Sequence, residues 1–249
     1  MRDPLSFQDP KPFTPMALGT IIGTVFYLII LFVNKNFPQV PLRMLIGQIQ
    51  AATYILFFWG TVVILFKWIL LKGEKLPFAK MEAILCKPGR ALLETTNELN
   101  HILEDIESSG LKGKSALSRT IELLIERCRV TKTSEGALEI FKARMDTLQN
   151  QISASTAVLR FIASSIPALG FIGTVIGISA ALGVPDMVNN LPEVLKHLAT
   201  AFDTTFVALV LSIPLTLMVY GMQKREEQLL VSIEFFCQEK IIINLRIRG

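Results

Sequence analysis

Few residues of this 249-residue chain have the types and spacings that chemistry requires. His101 and Glu104 are one helical turn apart and could ligate a metal ion, but no second histidine is nearby, so a solvated helix face explains them better. The sequence contains no G-x-S-x-G elbow, Walker loop, H-E-x-x-H helix or cysteine pair. We therefore expect neither an enzyme nor a metal or cofactor site.

Two threonines, Thr174 and Thr205, lie in or beside long uncharged stretches and have small neighbours at helical spacing. At about 100° per residue, four neighbours of each threonine fall within about 60° of it on an α-helix. These are Pro167, Gly170, Gly177 and Ala181 for Thr174, and Ala201, Ala208, Ser212 and Thr216 for Thr205. Such stripes predict either close helix packing, with the hydroxyls bonded to backbone carbonyls, or the wall of a polar path. Spacing alone favours both equally.

The depth of Thr174 favours the path. This residue lies 14 positions after Arg160 and 12 before Asp186, near the middle of a bilayer. Asp203 is the only carboxylate in this pair of stretches, and it is either a functional ionisable group or an interface residue at the outer end. Threonine cannot store charge at physiological pH, so a proton path would need a titratable carrier from another chain.

Four uncharged stretches hold these residues, and each can cross a bilayer, which takes ~20 helical residues. They lie between Lys11 and Lys35, Arg43 and Lys67, Arg160 and Asp186, and Asp203 and Lys224. The predicted spans are 16–33, 46–71, 160–184 and 198–222. Apolar residues make up 51% of the chain and charged residues 18%, which excludes a disordered chain. The net charge is +4, and the charged residues lie beside the spans rather than in a cluster that would bind nucleic acid.

The lysines and arginines beside the spans predict the orientation. The two loops expected outside carry three of them, whereas the N-terminus, segment 72–160 and the tail carry 21. Both termini and the large loop are therefore expected in the cytoplasm, with Cys86, Cys128 and Cys237 as buried thiols. No signal peptide is visible, so span one should remain in the mature protein.

The predicted fold is an all-α integral membrane protein whose long helices continue from the membrane into the cytoplasm. Its parts are an N-terminal segment with two peripheral spans (1–72), a cytoplasmic helical domain (73–155), a transmembrane helix pair (156–222) and a cytoplasmic C-terminal helix (223–249). Gly19 and Gly23 form a close-packing motif in span one. Apolar residues at helical spacing predict buried stripes at Leu92, Leu99, Leu103 and Ile106, at Leu117, Ile121, Leu124 and Cys128, at Leu138, Phe141, Met145, Leu148 and Ile152, and at Leu229, Leu230, Ile233, Phe236, Cys237 and Ile241.

The two stretches with threonines resemble the signature helices of the MotA/TolQ/ExbB proton-channel family. The first is Pro167-Ala-Leu-Gly-Phe-Ile-Gly-Thr-Val-Ile-Gly-Ile178, and the second is Ala201-Phe-Asp-Thr-Thr-Phe-Val-Ala-Leu-Val-Leu-Ser-Ile-Pro214. The resemblance implies that both helices line a pore and that Thr174 and Thr205 face the ion path. Asp203 and Ser212 are the further candidate residues of that path. The residues expected to pack the pore helices are Pro167, Gly170, Gly173, Gly177, Ala201, Ala208 and Pro214.

The resemblance also implies the assembly: a homo-oligomer, expected to be a pentamer, around a dimer of a single-span partner similar to MotB, TolR or ExbD. The partner's membrane aspartate would carry the proton, in the inner membrane of a bacterium. We expect the ring to close through the small-residue stripes and through the apolar stripes of the cytoplasmic helices.

Two departures from the family pattern bear on these expectations. ExbB and TolQ have three spans and a glutamate where this chain has Thr200, and Asp203 is the candidate substitute. The four-span layout is similar to MotA. The expected function is a subunit of an ion-driven motor or energy-transducing channel, coupled to protons or sodium ions. The alternative is a non-conducting membrane scaffold or assembly protein that uses the same packed helices.

Overall fold

The computed structural model describes residues 13–36, 43–85, 96–113, 115–131 and 134–242. Within these ranges all regular structure is helical. The α-helices are α1 (Phe13–Asn36), α2 (Gln48–Leu85), α3 (Thr96–Ser108), α4 (Ala116–Thr131), α5 (Ser134–Leu182) and α6 (Leu191–Cys237). A short 3-10 turn (Arg43–Leu45) precedes α2, and a π-helical turn (Gln238–Ile242) follows α6.

Four helical segments are long and apolar enough to cross a membrane. They are Thr14–Asn36, Gln48–Leu85, Leu138–Leu182 and Leu191–Ile242. The prediction of an all-helical protein with four helices long and apolar enough to cross a membrane is therefore confirmed for the described residues. Helices α5 and α6 each continue well beyond their predicted span, and Pro167 and Pro214 lie inside them without ending them. The expectation of long continuous helices is also confirmed.

The described residues form two compact units. The apolar unit contains 13–67 and 155–222, and the polar unit contains 68–154 and 223–242. The sequence-based boundaries between cytoplasmic and membrane domains stay a prediction.

Glycines of α1 allow close packing inside the apolar unit. A Cβ atom added to Gly19 would lie 2.5 Å from the Cα of Trp59, and one added to Gly23 would lie 2.8 Å from the Cα of Ile55. Both distances are too short for any side chain, so α1 and α2 touch through their backbones. The close-packing interpretation of this glycine pair is confirmed.

The polar unit buries most of its predicted stripes. In α4 the stripe residues Leu117, Ile121, Leu124 and Cys128 are all buried. In α3 the prediction was wrong for Leu103, which is half-buried, whereas Ile102 is fully buried. Helix α3 packs on α4, and Leu103 lies about 100° around α3 from the fully buried Ile102. Leu92 lies outside the described residues.

The long helices also bury parts of their predicted seams in the polar unit. Phe141, Leu148 and Ile152 of α5 are buried, Met145 is half-buried and Leu138 is exposed. In the tail, the stripe residues other than the half-buried Leu230 are buried. The ring of Phe236 packs edge-on against Phe78 of α2, with 5.8 Å between centroids.

The buried-thiol prediction is confirmed for two of the three cysteines. Cys128 and Cys237 are free and buried, and Cys86 lies outside the described residues. Burial raises the pKa of the Cys128 thiol to about 11, because the thiolate would lose its hydration. This thiol therefore remains protonated at neutral pH.

Candidate functional site

The small-residue stripes of α5 and α6 face each other within one chain. A Cβ atom added to Gly170 would lie 2.6 Å from the Cβ of Ala208, and one added to Gly177 would lie 2.5 Å from the Cβ of Ala201. One added to Gly173 would lie 2.5 Å from the Oγ1 of Thr204. Contact positions rise along α5 as they fall along α6, so the helices are antiparallel. We call this contact the glycine seam.

Thr174 and Thr205 meet in the glycine seam. Their hydroxyl groups are hydrogen-bonded to each other. Thr174 Oγ1 also lies 3.2 Å from the carbonyl oxygen of Ala201, and Thr205 Oγ1 lies 3.0 Å from that of Gly170. A hydroxyl has one hydrogen and two lone pairs, so one threonine donates to the other and the second donates to a carbonyl.

The other predicted pathway and packing residues are placed as follows. Ser212 is buried, and its hydroxyl donates to the carbonyl of Leu209 at 3.0 Å. Pro167 is half-buried and Pro214 is exposed. Thr204, which the sequence analysis did not select, is buried against Gly173, and its hydroxyl donates to the carbonyl of Ala201 at 2.7 Å.

The hydroxyl pair is compatible with both interpretations of the small-residue stripes, close helix packing and the wall of a polar path. Bonds from hydroxyl to carbonyl are what close packing requires. A polar path requires in addition that other atoms can reach the hydroxyls, and both threonine side chains are only half-buried. A half-buried hydroxyl pair can exchange its internal bond for one to a water molecule or to a carboxyl group supplied by another chain.

Comparison with known sequences identifies the family. The sequence model of the MotA/TolQ/ExbB proton channel family matches residues 99–234, more than half of the chain. The chain belongs to this family. No curated protein and no solved structure matched the chain.

The match to the MotA/TolQ/ExbB family includes the whole glycine seam. It begins in α3 and ends in α6, so it covers two of the four candidate spans. Helices α1 and α2 lie outside it. Together, the family and the four apolar helices establish a multi-pass membrane protein of a proton-channel, energy-transducing family.

Asp203 of this MotA/TolQ/ExbB protein does not join the hydroxyl pair. It lies two residues before Thr205, about 200° around α6, and is half-buried. It lines a cavity of about 400 Å³ with Thr200 and with Asn34 and Gln50 from α1 and α2. We call this space the Asp203 cavity. Its carboxylate, hydroxyl and amide groups are the groups that stabilise a hydrated cation.

Gln50 is the most buried polar residue of the Asp203 cavity, at 1% exposure. Its Nε2 donates to the carbonyl of Met44 at 3.3 Å. Its Oε1 accepts no hydrogen bond from the described residues. A buried amide oxygen without a donor carries a desolvation cost, which a water molecule or cation in the cavity would remove.

Lys67 is a third polar residue, after Thr204 and Gln50, that was not among the predicted site residues. It is buried at 7% exposure, and its Nζ donates to the hydroxyl of Ser155 at 2.8 Å. Its position within predicted span two was a signal, because a lysine in a span is rare and has partners. Gln50 left a weaker signal, because neutral amides do not interrupt an uncharged stretch.

Proposed function

We propose that this chain is the ring-forming subunit of a proton-driven motor or energy-transducing channel complex of the bacterial inner membrane. Ions cross at the interface between the glycine seam and a single-span partner of the MotB, TolR or ExbD kind, which supplies a membrane aspartate. A pentamer of this chain surrounds a dimer of the partner. The hydroxyl pair of Thr174 and Thr205 carries this proposal, because it is polar and half-buried and because Thr174 is predicted to lie near mid-bilayer.

The chemistry of the glycine seam supports the need for a partner. The seam offers hydroxyls and carbonyls but no group that titrates at physiological pH. Proton transfer between the two sides of a membrane needs a group that binds and releases the proton, and a carboxyl group does so. The partner's aspartate provides that group, and the hydroxyl pair stabilises it in either protonation state.

The Asp203 cavity supports an entrance for the ion. Asp203 attracts a cation to the outer end of the spans, and the free oxygen of Gln50 accepts a bond from its hydration shell. The same groups serve hydronium or sodium ions, so a sodium-driven complex uses the same route.

The surfaces that remain outside the glycine seam support assembly into a ring. The small-residue stripes pack against each other within one chain. We therefore no longer expect these stripes to join neighbouring copies. Large apolar side chains of the pore helices are exposed instead, among them Phe171 at 68% and Phe202 at 67%. These faces bind other copies, the partner or lipid.

Reconstitution tests the proposal. We expect a neighbouring gene to encode the candidate partner, a short protein with one N-terminal span, an aspartate in that span and a periplasmic domain. Vesicles with both proteins should conduct protons or sodium ions, measured with a pH-sensitive or sodium-sensitive dye. Replacing the partner's membrane aspartate with asparagine should abolish the flux, because the carrier is lost. Equal flux from this chain alone would contradict the shared pathway.

The proposed orientation has its own test. In a background with Cys86, Cys128 and Cys237 replaced by alanine, a membrane-impermeant maleimide added to intact cells should label Asn189→Cys. It should not label Ser109→Cys until the membrane is opened. Asn189 lies in the exposed connection between α5 and α6, and Ser109 lies in the exposed turn after α3. The reverse labelling pattern would refute cytoplasmic termini.

A non-conducting scaffold is the second candidate function. The backbone contacts of the glycine seam and its bonds from hydroxyls to carbonyls favour it, because they also satisfy a purely structural role. A complex that assembles normally with its partner but shows no flux under any ion gradient would establish the scaffold.

A further inference from the structure

A basic cavity is lined by residues of the polar unit, none of which belongs to the glycine seam or to the Asp203 cavity. Its volume is about 1220 Å³, and residues of α2 and α6 line it. The lining includes three cations, Lys72, Lys224 and Arg225, and the indole of Trp68. We call it the Trp68 cavity. It has no part in the proposed ion path.

Two of these cations lie against the same aromatic ring. Lys72 Nζ is 3.6 Å from the centroid of the Trp68 ring, and Arg225 Cζ is 5.7 Å from it. Both distances are within the range of cation–π interactions. The indole therefore attracts both positive charges, which lie close to the same ring although they repel each other.

The positive charge of the Trp68 cavity is only partly compensated. Lys72, Lys224 and Arg225 are exposed, and none forms a salt bridge with a described residue. Glu227 also lines the cavity, and its Oε1 accepts a hydrogen bond from Gln223 Nε2 at 2.8 Å. The cavity thus presents three cations and one carboxylate.

The sequence position of the Trp68 cavity places it at the level of lipid headgroups. Span two is predicted to end at residue 71 and span four at residue 222, so Lys72, Lys224 and Arg225 directly follow the two spans. Tryptophan prefers this interfacial level, and basic pockets there bind anionic headgroups. The buried side chains of Leu71 and Leu229 add an apolar part to the lining, which suits acyl chains.

We infer that the Trp68 cavity binds the phosphate of an anionic phospholipid, held by Lys72, Lys224 and Arg225 beside Trp68. Arginine and lysine both bind phosphate oxygens, and the guanidinium offers two parallel donors. A free phosphate ion has the same chemistry, but it would leave the apolar part of the cavity unused. The lipid therefore fits the whole lining better.

The experiment uses the full chain in detergent and phosphatidylglycerol as the probe. Native mass spectrometry counts the lipids retained, with phosphatidylcholine of the same acyl chains as the zwitterionic comparison. Wild-type protein should retain phosphatidylglycerol preferentially. The Lys72→Gln, Lys224→Gln variant should bind it about 25-fold more weakly, at about fivefold for each cation removed.

The matched control is Lys80→Gln, Lys142→Gln, which removes two exposed lysines of α2 and α5 that do not line the cavity. This control should retain phosphatidylglycerol as the wild type does. Equal losses in both double variants would overturn the site, because they would indicate general attraction to positive charge. Equal retention of the two lipids by the wild type would overturn it as well.

A second measurement does not depend on the stability of the cation variants. Trp59→Phe leaves Trp68 as the only tryptophan of the chain. In phosphatidylcholine nanodiscs, added phosphatidylglycerol should change the fluorescence of Trp68, and inorganic phosphate at the same concentration should not. No change with the lipid would refute the site, and an equal change with inorganic phosphate would refute the lipid as its ligand.

Discussion

Replacing both Thr174 and Thr205 with valine should reduce ion flux through the complex at least about 30-fold while the ring still assembles. Valine keeps the shape of threonine but removes the hydroxyl. Each missing hydroxyl leaves a buried water, ion or carboxyl group without a partner, which costs about 1–3 kcal/mol in a site of low dielectric. Flux in vesicles with the partner measures the loss, and native mass spectrometry measures assembly.

The matched control for this variant is Thr24→Val, Thr61→Val. Both of these threonines lie in candidate spans, and each hydroxyl donates to a carbonyl four residues earlier in its own helix. Such a bond satisfies the hydroxyl without any role in an ion path. Their replacement should leave the flux near normal. Normal flux in the Thr174→Val, Thr205→Val variant would return the hydroxyl pair to structural packing. Asp203→Asn should reduce flux less than the double variant, since Asp203 lies in a separate cavity.

Replacing Gly177 with leucine should destabilise the apolar unit by about 3 kcal/mol, at the upper end of what overpacking costs. An added Cβ would meet the backbone of Ala201, with 2.8 Å to its Cα and 3.0 Å to its nitrogen. Backbone atoms cannot turn away, so α5 and α6 must separate. For a chain of this length we expect the thermal midpoint in detergent to fall by about 10 °C.

Gly221→Leu is the control, because no atom lies within 4 Å of a Cβ added there. Its thermal midpoint should remain near that of the wild type. Gly173→Leu should be about as destabilising as Gly177→Leu, since a Cβ added there would lie 2.7 Å from the Cβ of Thr204, which side-chain rotation cannot move. A Gly177→Leu protein as stable as the Gly221→Leu protein would show that the glycine seam is not a close backbone contact.

The sequence predicted the elements of this fold well because membrane helices follow from simple physics. A chain crossing a bilayer must satisfy its backbone groups internally and exclude charge, so uncharged stretches of sufficient length identify spans. The stripe of Leu117, Ile121, Leu124 and Cys128 was predictable for a related reason, since apolar residues at helical spacing form one face. Both features depend on residues that are near each other in the chain.

Contacts between distant residues were less predictable. The sequence identified the small stripes around Thr174 and Thr205, but it did not tell whether they face each other or another copy. That depends on how α5 and α6 rotate about their axes. The same limit applies to the Asp203 cavity, where Gln50 comes from a helix more than a hundred residues away. Thr204 was missed for that reason too.

The short connection between α5 and α6 has a consequence for how the protein reaches its membrane. Residues 183–190 join the two helices, and Asp186 is the one charged residue among them. In the proposed orientation this connection crosses the bilayer, and with a single charge that transfer costs little. Since the glycine seam forms within a single chain, α5 and α6 can insert together as a folded hairpin during biosynthesis. Each subunit would then enter the bilayer with its hydroxyl pair already formed, before it meets another copy.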